Sequence, residues 1–171
     1  MKKYLLTIMV ALAGALTASA QKFALVDMEY ILKNVPAYER ANEQLNQVSK
    51  KWEGEIQAVL NEVETLYKKY QSESVFLSDT QKTKAEETIV AKEKEASELK
   101  KKYFGSEGEL FKKRQSLMSP IQDEIYNAVR DICDKKGFQL VLDRASGGSI
   151  IYASPKIDIS DEVLQKLGYS H

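Results

Sequence analysis

Between Leu45 and Tyr70, eight apolar or aromatic side chains recur at steps of three or four residues: Leu45, Val48, Trp52, Ile56, Val59, Val63, Leu66 and Tyr70. That spacing draws one narrow apolar stripe along a helix, close to the 3.5-residue period at which helices wind around each other. Glu53, Glu55, Glu62, Glu64, Lys68 and Lys69 fill the remaining surface and read as a solvated face. A stripe this narrow and this long needs a second helix beside it. Pro36 marks the start: it suits the first helical position and pushes Val35 out of helical geometry.

The pattern breaks at "SESVFLSDT" (residues 72–80), where Ser78, Asp79 and Thr80 are cap and turn residues ready to begin a return helix. The spacing predicts that helix from about Gln81 to Lys136, with Gly137 as its stop. Its stripe is thinner. Ile89, Ala96, Leu99, Tyr103, Leu110 and Leu117 keep the spacing, while Lys92, Ser106 and Lys113 occupy the positions between. Gly105 and Gly108 fall inside this predicted helix, each costing about 1 kcal/mol relative to alanine. Pro120 removes a backbone donor and should kink it. These three residues are candidate hinges, about which the arm would bend on the microsecond to millisecond scale. The two glycines have a second reading, close packing against the outgoing helix. With the tip near residues 72–80, the arm covers 37–119 and measures roughly 55 Å at about 1.5 Å per residue.

Both ends of the chain change character. Phe23–Asp27 ("FALVD") and Phe138–Asp143 ("FQLVLD") are apolar on both faces, as buried strands are. After a Ser-Gly-Gly turn, "SIIYA" (Ser149–Ala153) reads as the second strand of a hairpin. Pro155 ends it, and "DISDEVLQKLG" closes the chain as a short helix with Ser160 at its cap and Gly168 after its end. A strand must pair, so the partner of Phe23–Asp27 lies more than a hundred residues downstream, in one of these two stretches. The fold class is α+β: a small sheet body from 21–36 and 120–171, and one long helical hairpin projecting from it. Three short two-faced strands cannot be covered by a single terminal helix, and their free edges invite pairing with another chain. A homo-oligomer follows, joined through Phe23, Leu25, Val26, Leu140, Val141, Leu142, Ile150 and Ile151.

The first twenty residues stand apart from this fold. Lys2 and Lys3 precede the uncharged run "YLLTIMVALAGALTA" and the small-residue site "ASA", the pattern of a secretory signal peptide cleaved after Ala20. The full chain carries 25 basic and 25 acidic side chains; losing Lys2 and Lys3 leaves 23 against 25, a formal charge of −2. That balance argues against nucleic acid as a partner, and against tight contact with anionic lipid or lipopolysaccharide. Cys133 is the one cysteine and lies on the apolar side of its helix, so it reads as a small buried hydrophobe. Catalysis finds little support. The one histidine is the terminal His171, and the chain has neither a phosphate-binding loop nor a spaced set of metal ligands, so no cofactor is expected. Asp27 ends a strand and reads as a helix cap.

"FALVDMEYILKNVPAYERANEQL" near the start and "GFQLVLDRASGGSIIYASPKIDISDEVLQKL" at the end resemble the Skp/OmpH family of periplasmic chaperones. The resemblance runs in order through strand, long hairpin, strand pair and terminal helix. It implies a homotrimer with a β-barrel body and three helical tentacles, holding unfolded outer-membrane proteins in a central cavity without ATP. Weak, reversible binding of this kind calls for scattered apolar side chains amid mixed charge. Val75, Phe76 and Leu77 at the tip, with Phe104 and Phe111 off the stripe, are the candidate client contacts; the tip residues could equally pack the turn. Tyr67, Tyr70 and Tyr103 read as members of the stripe. The competing class is an envelope adaptor coiled coil that docks one folded partner.

Overall fold

The computed structural model describes residues 22–147 and 150–169. The signal sequence with its cleavage site, together with Ser149 and His171, lies outside the described residues. Two compact units are present, one formed by residues 22–34 and 126–169, the other by residues 35–125.

In the first unit, strand β1 (Lys22–Val26) pairs with β2 (Phe138–Asp143). The pairing is parallel, with Phe23 opposite Leu140, Ala24 opposite Val141 and Leu25 opposite Leu142. Parallel strands need a long crossover, and the helices between residues 28 and 136 supply it. Asp27 is the N-cap of α1 (Met28–Lys33), its carboxylate accepting from the Tyr30 amide at 2.9 Å. On the far edge of β1 the chain after residue 157 forms a single bridge: the Ile159 amide donates to the Leu25 carbonyl at 2.9 Å. The short helix α5 (Ser160–Lys166) follows and buries Val163 and Leu164. Those two side chains, with Ile31 and Ala24, are among the most completely covered of the unit. Full burial of a Val, Leu or Ile side chain stabilises by about 1.5–3 kcal/mol.

Two expectations for this unit are corrected. The hairpin strand Ser149–Ala153 does not form among the described residues: 150–154 has no regular structure, and Ile151 and Tyr152 are 100% and 83% exposed. A strand laid along the outer edge of β2 would cover little, because Leu140 and Leu142 are themselves about half open within one chain. Hydrogen bonds without buried apolar surface do not hold a strand. Ser160 is not the cap of α5 but its first residue. Its buried hydroxyl accepts from the Asp27 amide at 2.8 Å and donates to Asp158 at 2.6 Å, tying α5 to the start of α1.

In the second unit, α2 (Pro36–Glu73) begins with Pro36 in its first turn and runs antiparallel to α3 (Asp79–Phe104). Ser78 and Gln81 form a reciprocal capping box at the start of α3. All eight stripe residues of α2 are buried or half-buried. The return helix is not continuous, which corrects the reading of one helix from 81 to 136. It ends at Phe104 and restarts as α4 (Glu109–Lys136), which contains Pro120 and passes through it. Gly105 caps α3, its amide donating to the Lys101 carbonyl while the chain turns out of helical geometry. The glycines of the break are required by crowding. A Cβ on Gly105 would lie 2.4 Å from the Lys101 oxygen, and one on Gly108 within 2.9 Å of three backbone atoms of residues 102–105. What they pack against is the end of their own helix, not the outgoing one. Gly137, in the left-handed region at φ 73°, follows α4.

Candidate functional site

The hairpin carries an open apolar pair at its tip: Val75 is 79% and Phe76 86% exposed in the turn between α2 and α3. Leu77 is half-buried and lines a shallow cavity with Leu66, Tyr70 and Ala85. The turn is thus packed by Leu77 alone of the three, leaving its two neighbours largely exposed. Phe111 is 51% exposed. Phe104 is half-buried and meets the Trp52 ring edge-on, with centroids 6.4 Å apart.

Trp52 and Tyr103 stack nearly flat with centroids 4.7 Å apart. The Tyr103 hydroxyl donates to Glu55 at 2.6 Å, and Lys102 lies over the tyrosine ring. The hydrogen bond to the Glu55 carboxylate raises the Tyr103 pKa above its usual value. Tyr70 donates to Glu86 and is raised for the same reason. Lys92, at a stripe position of α3, is met by Glu62 from α2 at 2.8 Å and by Glu95 at 3.0 Å. Both carboxylates hold its ammonium in the charged form, Glu62 foremost. Tyr67 departs from its stripe reading. It is 52% exposed, because the stripe passes through its neighbours Leu66 and Tyr70. Sequence reasoning also missed Leu60 and Val90, both open on the hairpin; their one signal is that each is an apolar residue one place after a stripe position.

On the sheet, alternation sends Phe23, Leu140 and Leu142 to one face, where all three remain about half exposed. Leu25 and Val26 are covered within the chain, Val141 is half-buried, and Ile150 lies half-buried before the open Ile151. At the end of the sheet Arg144 joins two carboxylates, Asp27 at 2.9 Å and Asp158 at 3.2 Å. Asp27 is held below the usual carboxylate range by the Tyr30 amide first and by Arg144 after it, against an opposing effect of burial. These groups are bonded to one another as caps and ties, not poised for proton transfer. Among the described residues no three His, Cys, Asp or Glu side chains converge to hold a metal ion. Cys133 is half-buried, and burial pushes its thiol up, away from the reactive thiolate. No described helix is long and apolar enough to cross a membrane.

The chain belongs to the family of OmpH-like outer membrane proteins, whose sequence model matches residues 22–167. Its similarity extends to individual curated proteins. It is 29% identical over 171 residues to the chaperone protein Skp of Yersinia enterocolitica, covering 98% of this chain and 99% of that one. It is 26% identical over 172 residues to Skp of Pectobacterium atrosepticum, with the same coverage. The crystal structure of an OmpH-like protein of Caulobacter crescentus CB15 shares the fold, with a TM-score of 0.71 at 13% identity over 87% of this chain and 85% of that one.

Proposed function

We propose that this protein is an ATP-independent periplasmic chaperone that holds unfolded outer-membrane β-barrel proteins before their insertion. The observation that carries the reading is the match along nearly the whole chain to proteins named chaperone Skp. The hairpin gives it physical support: it presents Val75, Phe76 and Phe111 to solvent amid as many basic as acidic side chains. Dispersed contacts of that kind bind many sequences weakly, as a holdase without an energy source must.

In this reading the chain is exported on residues 1–20 and cleaved after Ala20. Residues 21–36 and 120–171 form an oligomerisation body, and 37–119 form the client-holding arm. Three copies join through the sheet face left open by Phe23, Leu140 and Leu142 and through Ile150 and Ile151, closing a barrel. The open outer edge of β2 and the uncovered 150–153 stretch suit strand pairing between copies.

The test is aggregation of a urea-unfolded outer-membrane barrel diluted with and without the protein, in EDTA and without nucleotide. Suppression of light scattering at a fixed ratio of trimer to client is expected. Loss of protection in EDTA, or activity toward one folded partner only, would replace this reading with a metal-dependent site or an adaptor. Sedimentation of the wild type as a folded monomer at micromolar concentration would remove the trimer. Leu140→Asp should dissociate the assembly, since a charge at a buried apolar face costs several kcal/mol, about 2–7 for unpaired polar groups in general.

A further inference from the structure

The α2/α3 hairpin is not held evenly along its length. At one end the Trp52–Tyr103 stack, the edge contact of Phe104 and the Tyr103–Glu55 hydrogen bond form a clamp. Toward the turn the packing thins. Beyond Trp52, Val59 is the one stripe residue of α2 that is buried; Ile56, Val63, Leu66 and Tyr70 are half-buried. On α3 the facing positions run Ala85, Ile89, Lys92, Ala96 and Leu99, two alanines and a lysine among five. The Lys92 ammonium cannot enter an apolar seam without partners, and its ties to Glu62 and Glu95 hold it at the seam's edge. Past it, a cavity of about 140 Å³ lies open beside Leu66, Tyr70, Leu77 and Ala85.

We infer that Lys92 divides the hairpin into two opening units. The half next to the Trp52–Tyr103 clamp stays closed while the half between Lys92 and the turn, together with the facing part of α2, opens locally and recloses. Local opening free energy follows the apolar surface a segment buries. A charge set into the seam interrupts that surface, so opening of the turn half need not spread through the clamp. Each opening uncovers Val63, Leu66 and Ile89, of which the closed hairpin buries Ile89 and half-covers the other two. The inference concerns the isolated protein and does not depend on the chaperone reading.

Hydrogen exchange followed by mass spectrometry on the full chain, without client, tests it. In the wild type, amides of residues 63–91 should exchange at least about tenfold faster than those of 45–56 and 97–103, in keeping with their thinner packing. Lys92→Leu restores an apolar seam and should slow 63–91 by about tenfold, leaving the clamp half unchanged. Glu62→Gln removes the charge partner without filling the seam and should speed 63–91 alone. A single exchange rate for both halves, no slowing in Lys92→Leu, or a variant that moves both halves together would overturn the division.

Discussion

Replacing Gly108 with alanine probes whether the break between α3 and α4 is imposed by its backbone. A Cβ at residue 108 would stand 2.8 Å from the Gly105 nitrogen and the Tyr103 oxygen and 2.9 Å from the Lys102 oxygen. All three are backbone atoms at the end of α3, and the Tyr103 ring is stacked on Trp52, so no flexible side chain can swing aside to make room. Forcing one extra methyl group into a packed site costs about 1–3 kcal/mol. Against that, alanine restricts the unfolded chain and recovers about 0.4–1 kcal/mol. The net expectation is a loss of about 1–2 kcal/mol, seen as a melting temperature roughly 2–8 °C lower at this chain length. Gly105→Ala should act in the same sense, since its Cβ would meet the Lys101 oxygen at 2.4 Å. The chain has one escape: residues 105–108 could close into a continuous helix, gaining about 1 kcal/mol for each glycine replaced. Tyr103, Leu110 and Leu117, spaced by sevens, keep the apolar phase across the break and do not forbid it. Far-ultraviolet circular dichroism during melting separates the two outcomes. A lower melting temperature at unchanged helix content is expected; a higher one with added helix content would refute the argument from crowding.

Ser160→Ala should destabilise by about 1–3 kcal/mol in urea unfolding, because it strips the partner from the Asp27 amide next to a buried hydroxyl site. Asp27→Ala should cost about 1 kcal/mol as a lost helix cap. Asp27 has a depressed pKa when folded, so its contribution is present above the unfolded carboxylate value of about 3.9 and is lost as pH falls through the lower folded value. The stability gap between wild type and Asp27→Ala should therefore close below about pH 4, read from melts at successive pH values. Tyr103 is the opposite case: its pKa is raised, so the Glu55 tie stabilises below the ordinary tyrosine value of about 10 and is lost as pH rises through the folded value. Melting of wild type should converge on that of Tyr103→Phe above about pH 10, while the stack on Trp52 persists in both.

The long helix α2, its proline start, the turn near Ser78 and the Asp27 cap were legible because each is a local rule written in consecutive residues. The 3–4 stripe needs only helical geometry to become a face, and Ser78 with Gln81 needs only each other to close a capping box. Membership of the OmpH-like family was legible from the two ends of the chain, where the stretches that carry the resemblance lie within the matched residues 22–167. Candidate contact residues were legible in part. Val75 and Phe76 stand open and Leu77 packs the turn, one of the two readings open to it, whereas Tyr67 left the stripe, because one residue's step around a helix decides between seam and solvent.

What the tertiary structure alone decided concerns contacts between distant residues. Propensity penalises Gly105 and Gly108 in a helix without saying whether the helix tolerates them. The decision to break came from backbone atoms approaching closer than a Cβ permits. The strand-like composition of residues 150–153 was equally uninformative about pairing, which depends on whether an uncovered neighbour exists to share buried surface. Ser160 looked like a cap by position, yet its hydroxyl is spent on Asp27, 133 residues away. Local sequence fixes a residue's conformational preferences, whereas the partner that satisfies a buried donor or covers an apolar face is chosen by the chain's return path, which no short window of sequence contains.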